Sequence, residues 1–365
     1  MAETFTVSEF VVPGVFVRVR AEGLITPGGV PTGNIGIVGT ARRLDENGDP
    51  VDIYDSTLIL SEYEAGREQL GRYDRFAEGT LNLSRGLELA YLNGARTVFA
   101  RALAPGAGRD AYIAAFNELA KDDVNILVAP ELTTSDALAV FGAVLETAEN
   151  NGKDIIALVG SDAVTVQAIA GQVVGNDRII LIAPGVRVFD SAEQMDVTLR
   201  GTYAAAAMAG LLSTLSPQSS PTNKVLPGIV RLSQRFSYGE IRQLVSGRVC
   251  VLEERRGVRV VRGITMDDGA FQQITTRRIV DLAKAGIRQA SNPFIGRLNN
   301  QRVRAALQGA IDGFLTTMVQ DEALTGYTVQ VTATRQDEIA GRAVVNAVVQ
   351  PTFSIDFVAV TLVLQ

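Results

Sequence analysis

Four short apolar segments, each followed by a stretch with helical character, most constrain the fold of this chain. Continuously apolar strands need cover on both faces, and helices on both sides of a mostly parallel sheet provide it. Strands that alternate with helices at this spacing are typical of βαβ units. The sequence therefore predicts an α/β domain over residues 93–245. Its strands are expected at 97–103, 124–130, 154–160 and 178–184, and its helices at 111–120, 134–149, 163–171 and 198–213.

Residues 42–92, which precede the α/β domain, are dense in charge and form an expected exposed segment. Within it, "STLILS" (56–61) predicts a strand. A short helix is expected to begin near Ser61, because Glu64 three residues later completes a capping-box pattern. After Leu215 the proline-rich stretch "SPQSSPTNKVLPG" predicts an irregular connection out of the α/β domain.

The region 246–365 has the pattern of an α+β domain. "RVCVLEERRGVRVVRGIT" (248–265) predicts a hairpin, because a charged turn separates two apolar strands. Helices are expected at 275–290 and 299–324, and strands at 326–334 and 342–365, with Pro351 marking a break in the last region. The second helix carries an apolar stripe, which is typical of a helix face packed in a core rather than of a partner groove. The stripe consists of Val303, Leu307, Ile311, Phe314 and Met318.

The chain contains no histidine and a single cysteine, Cys250. This composition excludes Ser-His-Asp and Cys-His catalytic arrangements, histidine-containing zinc sites and all-thiolate metal sites. The apolar neighbours of Cys250 predict a buried structural thiol. Two acidic pairs, Asp122–Asp123 and Asp267–Asp268, lie beside turn residues and are interpreted as turns or helix caps. We therefore expect no catalytic, cofactor-binding or metal-binding residues.

The charge is unevenly distributed along the chain. Residues 1–245 carry 20 basic and 29 acidic side chains, whereas residues 246–365 carry 14 and 11. The arginines are scattered and the chain is acidic overall, so no nucleic-acid partner is expected. The chain has no apolar run long enough to span a membrane and its first residues lack signal-peptide character, so we expect a cytoplasmic product without direct membrane insertion.

Both ends of the chain have strand character. Near the start, Val15, Val17 and Val19 alternate with Phe16, and the last thirteen residues, "FSIDFVAVTLVLQ", are apolar on both faces. These strands could pair within their own domain. Alternatively, each could add to a sheet edge of a neighbouring subunit, and a head-to-tail contact that does not close would build a helical filament. The C-terminal candidates are Phe353, Ile355 and Phe357 on one face and Val358, Val360, Leu362 and Leu364 on the other.

Four stretches, in this order, resemble the contractile tail sheath proteins of phage tails, tailocins and contractile injection particles. The first is "FVVPGVFVRVR" followed by "TPGGVPTGNIGIVGTARR". The second is "VDIYDSTLILSEYEAGREQLGRYD" followed by "LELAYLNGARTVFARAL", with Asn93, Gly94 and Arg101 at its turn and strand. The third and fourth are "GVRVVRGIT" with "TTRRIVDLAKAGIRQA", and the helix "RVRAALQGAIDGFLTTMVQDEAL".

The resemblance implies a subtilisin-like architecture for the central domain. "GTYAAAAMAG" (201–210) is similar to the helix start that carries the nucleophile of subtilisin, but Tyr203 occupies that position here. A chain without histidine can share only the architecture, so the resemblance implies no catalytic site. Residues 1–41 would form an N-terminal arm and strands that join an inner domain, and residues 246–365 would be that inner domain with a terminal arm.

The function that the resemblance implies is structural. Many copies would polymerise helically around an inner tube and contract to drive the tube through a target envelope, with the terminal arms exchanged between neighbours. The partners would be other copies, the inner tube protein, and baseplate and tail terminator proteins; assembly in the bacterial cytoplasm would lead to a virion tail or released particle. Arg302 and Arg304 would face an acidic tube surface. The alternatives are a catalytically degenerate or carboxylate-dependent α/β enzyme and, disfavoured by length, a tube or other tail component.

Overall fold

A computed structural model describes residues 31–54, 56–71, 82–190 and 194–362. Contacts between residues divide the chain into two units. The larger unit contains Pro31–Arg277 and the terminal residues from Phe353 onward, and the smaller unit contains Arg278–Thr352. The expected N-terminal strand with Val15, Phe16, Val17 and Val19 lies outside the described residues, as does Leu364.

The larger unit is built on an eight-stranded sheet. Its strand order is β13-β12-β8-β7-β6-β1-β5-β4, with parallel pairing from β5 to β12 and an antiparallel strand at each end. A mostly parallel sheet is therefore confirmed. The strands of this unit are β1 (Ile35–Thr40), β2 (Arg43–Leu44), β3 (Pro50–Val51), β4 (Leu58–Leu60), β5 (Val98–Leu103), β6 (Ile126–Val128), β7 (Ile156–Gly160), β8 (Ile179–Ala183), β9 (Val186–Asp190), β10 (Met195–Leu199), β11 (Arg231–Leu232), β12 (Cys250–Glu254) and β13 (Val258–Val260).

Helices cover both faces of this sheet, as its apolar strands require. On one face α2 and α6 pack in a core with Ile35 and Ile37, and on the other face α3 and α4 pack in a core with Val38. The helices are α1 (Tyr63–Leu70), α2 (Leu83–Leu92), α3 (Arg109–Leu119), α4 (Thr134–Asn150), α5 (Val166–Ala170), α6 (Gly201–Thr214), α7 (Tyr238–Ser246) and α8 (Ile274–Ser291), which runs on into the smaller unit.

Helix α6 is buried along almost its whole length because it lies unusually close to the sheet. A Cβ atom on Gly160 would lie 1.7 Å from the carbonyl oxygen of Gly201, so the end of β7 and the start of α6 can approach only as two glycines. The alanine run 204–207 continues the close packing, and each of its side chains is at most 1% exposed.

Two sequence expectations about local structure differ from the fold. The capping box at Ser61 is wrong: α1 begins at Tyr63, and the residue before it, Glu62, makes no side-chain cap hydrogen bond. The break expected at Pro351 is confirmed, because β15 ends there, but the strand expected after it is missing: residues 352–362 contain no strand.

The units also differ in extent from the expected domains. Strand β1 belongs to the segment 1–41, whose strands were expected to join an inner domain, but it lies in the middle of the eight-stranded sheet between β5 and β6. The hairpin of β12 and β13, assigned to the C-terminal domain, extends the same sheet, because Cys250 pairs with Ile182 of β8. The division consequently falls between Arg277 and Arg278 rather than after residue 245.

The smaller unit is an α+β arrangement, as expected. After α8 come a short 3-10 helix (Asn292–Phe294), α9 (Gln301–Gln320), β14 (Leu324–Thr332), α10 (Arg335–Ile339) and β15 (Val344–Pro351). β14 and β15 form an antiparallel pair, and α9 packs against β14. The apolar stripe of α9 is confirmed as core: Leu307, Ile311 and Met318 are buried and Val303 and Phe314 are partly buried.

Candidate assembly interface

The last described segment, residues 353–362, has no helix or strand and an unusually apolar surface. Six large apolar side chains lie on it and contact mainly solvent. Monomeric proteins rarely expose so many apolar side chains together, and such surfaces mark interaction sites. The exposed fractions are 61% for Phe353, 82% for Ile355, 77% for Phe357, 80% for Val358, 74% for Val360 and 86% for Leu362.

One polar residue holds this segment against the larger unit. The carboxylate of Asp356 is only 6% exposed although both of its sequence neighbours are exposed. Its Oδ2 accepts hydrogen bonds from Arg262 Nε at 2.8 Å and Gln273 Nε2 at 3.3 Å. Its Oδ1 accepts one from the hydroxyl of Thr222 at 3.4 Å. A mostly buried carboxylate needs such partners, so this contact fixes where the segment leaves the surface.

Two neighbouring contacts strengthen the same anchor. The backbone N–H of Ser354 donates to Gln273 Oε1 at 3.2 Å. The guanidinium carbon of Arg262 lies 5.2 Å from the centre of the Phe357 ring, within the range of a cation–π contact. Anchoring therefore spans residues 354–357, and the chain from Val358 onward projects its apolar side chains into solvent.

The fold brings the anchor partners together from three separate places in the chain. Arg262 follows the edge strand β13, Gln273 immediately precedes α8, and Thr222 lies in the irregular connection after α6. The backbone N–H of Gly263 donates to the hydroxyl of Thr222 at 3.0 Å, which joins the first and third of these places. Sequence analysis missed these partners; the one available signal was Asp356, a single charged residue in an otherwise uncharged thirteen-residue terminus.

The two arginines expected to face a tube lie in different environments on α9. Arg302 is exposed. Arg304 is only 16% exposed and contacts Glu338 Oε1 at 3.0 Å and Asn299 Oδ1 at 2.9 Å. The hydrogen bonds from Arg335 and Arg304 lower the pKa of Glu338 below its usual value. Of the two arginines, Arg302 is thus the one whose charge is directed to solvent.

The residues considered for catalysis are structural in this fold. Tyr203 is fully buried, its hydroxyl donates to the carbonyl of Asn82 at 3.4 Å, and burial raises its pKa. Cys250 is fully buried, and desolvation raises the pKa of its thiol to about 12. The turn interpretation of Asp267 is confirmed, because its carboxylate accepts from the backbone N–H groups of Gly269 and Phe271 at 3.0 and 3.1 Å.

The other acidic pair is also in a turn, where Asp123 contacts Lys153 at 3.6 Å. Within the ranges that the structure describes, no three acidic or cysteine side chains are grouped so that they could hold a metal ion. No helix of these ranges is long and apolar enough to cross a membrane.

Two adjoining family models match the chain. Residues 106–266 match the phage tail sheath protein central domain, and residues 266–365 match the phage tail sheath C-terminal domain. The chain belongs to the phage tail sheath protein family. It is therefore a structural subunit of a contractile sheath, and the resemblance seen in the sequence is confirmed.

Solved sheath structures have the same fold. A chain of the anti-feeding prophage (AFP) baseplate matches with a TM-score of 0.76 at 19% identity, covering 97% of this chain and 99% of its own length. The AFP helical sheath in its contracted state gives 0.74 at 20% identity, with 96% and 99% covered. The contracted PVC sheath complex of an extracellular contractile injection system gives 0.72 at 16% identity, with 99% and 98% covered. No curated protein has a significantly similar sequence.

Proposed function

We propose that this sheath protein polymerises helically around an inner tail tube, and that the polymer contracts to drive the tube through a target envelope. The single observation that carries the proposal for this chain is the segment 353–362, anchored at Asp356 and apolar beyond it. Its exposed side chains need cover that the described part of the chain does not supply. A neighbouring copy in a polymer would supply it.

The C-terminal segment would bind its neighbour by strand addition. Main-chain hydrogen bonds along a sheet edge give affinity, and alternate side chains give specificity. Each large apolar side chain that becomes buried contributes about 1.5–3 kcal/mol before the entropy of ordering is subtracted. We propose the same role for the N-terminal residues Val15, Phe16, Val17 and Val19, and for Leu364 beyond the described segment. Joined through extended arms, neighbours stay attached while their rigid units rotate during contraction.

The partners of this polymer would be the tube protein and the baseplate and terminator proteins at its ends. Assembly would take place in the bacterial cytoplasm, and the product would be a virion tail or a released particle. The role would be structural rather than enzymatic, in a central unit of subtilisin-like architecture. A carboxylate-dependent enzyme would instead give a discrete particle that a ligand stabilises.

Arg302 is the better tube-facing candidate, because Arg304 is already paired with Glu338. Reversal of the exposed charge in Arg302→Glu should weaken capture of purified tube protein, and the loss should shrink as salt screens the charges. Arg335→Glu is the matched control, since it removes another exposed arginine, which pairs with Glu338 within its own unit. Equal capture by both variants at every salt concentration would contradict a tube-facing Arg302.

Negative-stain electron microscopy of the full-length protein, with and without tube protein, tests the proposal as a whole. Hollow helical sleeves of uniform width are expected over a range of concentration and salt. Compact particles of one size, with no ordered sleeve after tube protein is added, would overturn the proposal and favour the enzyme alternative.

A further inference from the structure

The two ends of the eight-stranded sheet carry opposite charge. At the β13 end, neighbouring segments contribute six basic side chains. We call this set of side chains the basic edge. The segment 223–226 pairs along β13, with Lys224 O accepting from Val260 N at 3.0 Å, and Leu232 N donates to Glu254 Oε1 of β12 at 2.7 Å. The basic edge consists of Lys224, Arg231, Arg235, Arg255, Arg256 and Arg259.

Only part of this positive charge is neutralised locally. Two acidic residues lie in the same hairpin: Glu253 contacts Arg255 at 3.1 Å, and Glu254 pairs with Arg235. Lys224, Arg231 and Arg256 are exposed. The basic edge thus presents an excess of positive charge to solvent.

At the opposite end, β4 and the helix α1 that follows it form an acidic edge. Glu62 and Glu68 are exposed, and Glu64 is paired with Arg67 at 2.6 Å. The acidic edge thus carries three exposed acidic side chains, Glu62, Glu64 and Glu68, against one basic side chain, Arg67.

These edges are too far apart to neutralise each other within one subunit. Seven steps between adjacent strands, each about 4.8 Å, separate β13 from β4 by about 34 Å. At physiological ionic strength the Debye length is about 8 Å, so the two charges are screened from each other. Neither edge therefore weakens the attraction of the other edge for an external surface of opposite charge.

We propose that the basic edge of one subunit binds the acidic edge of the next copy of this chain. Because the two surfaces differ, the contact is head-to-tail and can repeat without closing. The inference rests on the proposed function, since it assigns one of the contacts by which the sheath polymer forms. It is independent of the terminal arms, which bind through apolar side chains and main-chain hydrogen bonds.

Charge reversal on one edge at a time tests this pairing. Glu62→Lys with Glu68→Lys changes the acidic edge from three acidic and one basic side chain to one acidic and three basic ones. Lys224→Glu with Arg231→Glu and Arg256→Glu changes the basic edge from six basic and two acidic side chains to three basic and five acidic ones. Each variant places like charges against each other, so the protein concentration needed for polymerisation should rise about tenfold, corresponding to weak surface pairs turned into repulsion. A chain with all five substitutions restores opposite charges and should polymerise within about twofold of wild type. The control, Glu146→Lys, reverses an exposed acid on α4, which packs against the central strand β7, and should behave as wild type.

A mixing experiment separates this inference from the proposed function. The two single-edge variants have complementary charges, so they should associate when mixed, measured by light scattering or cross-linking, and much less when alone. If they associate only as a mixture although wild type forms no ordered sleeve, the pairing stands and the sheath polymer fails. If the mixture behaves like either variant alone, or the fivefold variant is no better than the single-edge variants, the pairing is overturned.

Discussion

Strand β8 and the terminal segment 353–362 are similarly apolar, yet the fold treats them in opposite ways. Every residue of Ile179–Ala183 is at most 1% exposed, because β7 and β12 flank the strand and helices cover both faces. The large apolar residues of the terminal segment are 61–86% exposed and are held only through the Asp356 anchor. An apolar segment is stable only when other residues bury its side chains. The same chain buries them for β8, where strands and helices are adjacent, and does not bury them for residues 353–362.

Deleting residues 353–365 should have the largest effect on assembly and a small effect on folding. The deleted apolar side chains are exposed, so the larger unit keeps its core, while the polymer loses its strand donor. We expect native circular dichroism and cooperative unfolding but no sleeves by electron microscopy. Deletion of 358–365 alone is the control that keeps the Asp356 anchor, and it should also abolish sleeves. Loss of all folded structure in both truncations would instead show that the segment belongs to the subunit core.

A substitution in the buried part of the larger unit should instead have a large effect on folding. Arg85 on α2 and Asp190 at the end of β9 form an ion pair whose side chains are 1% and 0% exposed. Arg85→Ala leaves a buried carboxylate without this partner and should lower the free energy of unfolding by about 3–5 kcal/mol in urea titrations. Arg67→Ala, which breaks the exposed pair with Glu64, should cost less than about 1 kcal/mol. If both variants lost a similar free energy of unfolding, burial would not explain the difference expected between the two ion pairs.

The sequence predicts contacts between residues that are close along the chain better than contacts between residues that are far apart along it. The layers around β8 were predictable because alternating apolar strands and helices are a local pattern. The place of β12 was missed because the run Cys250–Leu252 is apolar enough to join any sheet, and its pairing with β8 joins residues far apart in the chain. The Asp356 anchor was missed for the same reason: Arg262 lies 94 residues away, and no periodicity indicates such a contact.

Removing the anchor alone should change the terminal segment more than the fold. Asp356→Asn replaces the carboxylate that accepts from Arg262 and Gln273, so residues 353–357 should leave the surface more often. We expect cleavage within 353–362 by a nonspecific protease to become several-fold faster, because cleavage follows the open population. The thermal midpoint should fall by only a few degrees. The control is Asp268→Asn, an exposed carboxylate that is 83% accessible. Equal cleavage rates in the two variants would mean that Asp356 does not hold the segment.

The smallest change to the protein compares the reactivity of two thiols, one in the buried sheet and one in the terminal segment 353–362. Cys250 lies in β12 next to β8, and burial raises its pKa to about 12, so it stays protonated and shielded at pH 8 and at pH 9. Val360→Cys adds a thiol at a position that is 74% exposed, where its pKa should be ordinary and its thiolate fraction should rise with pH. A thiol reagent should therefore label one site per subunit rapidly and reach Cys250 only at the rate of unfolding. Polymerisation should then protect the new thiol and leave Cys250 unchanged, because Cys250 is already fully buried within its own subunit. Labelling that continues at the same rate in assembled sleeves would show that residue 360 is not at the contact between subunits.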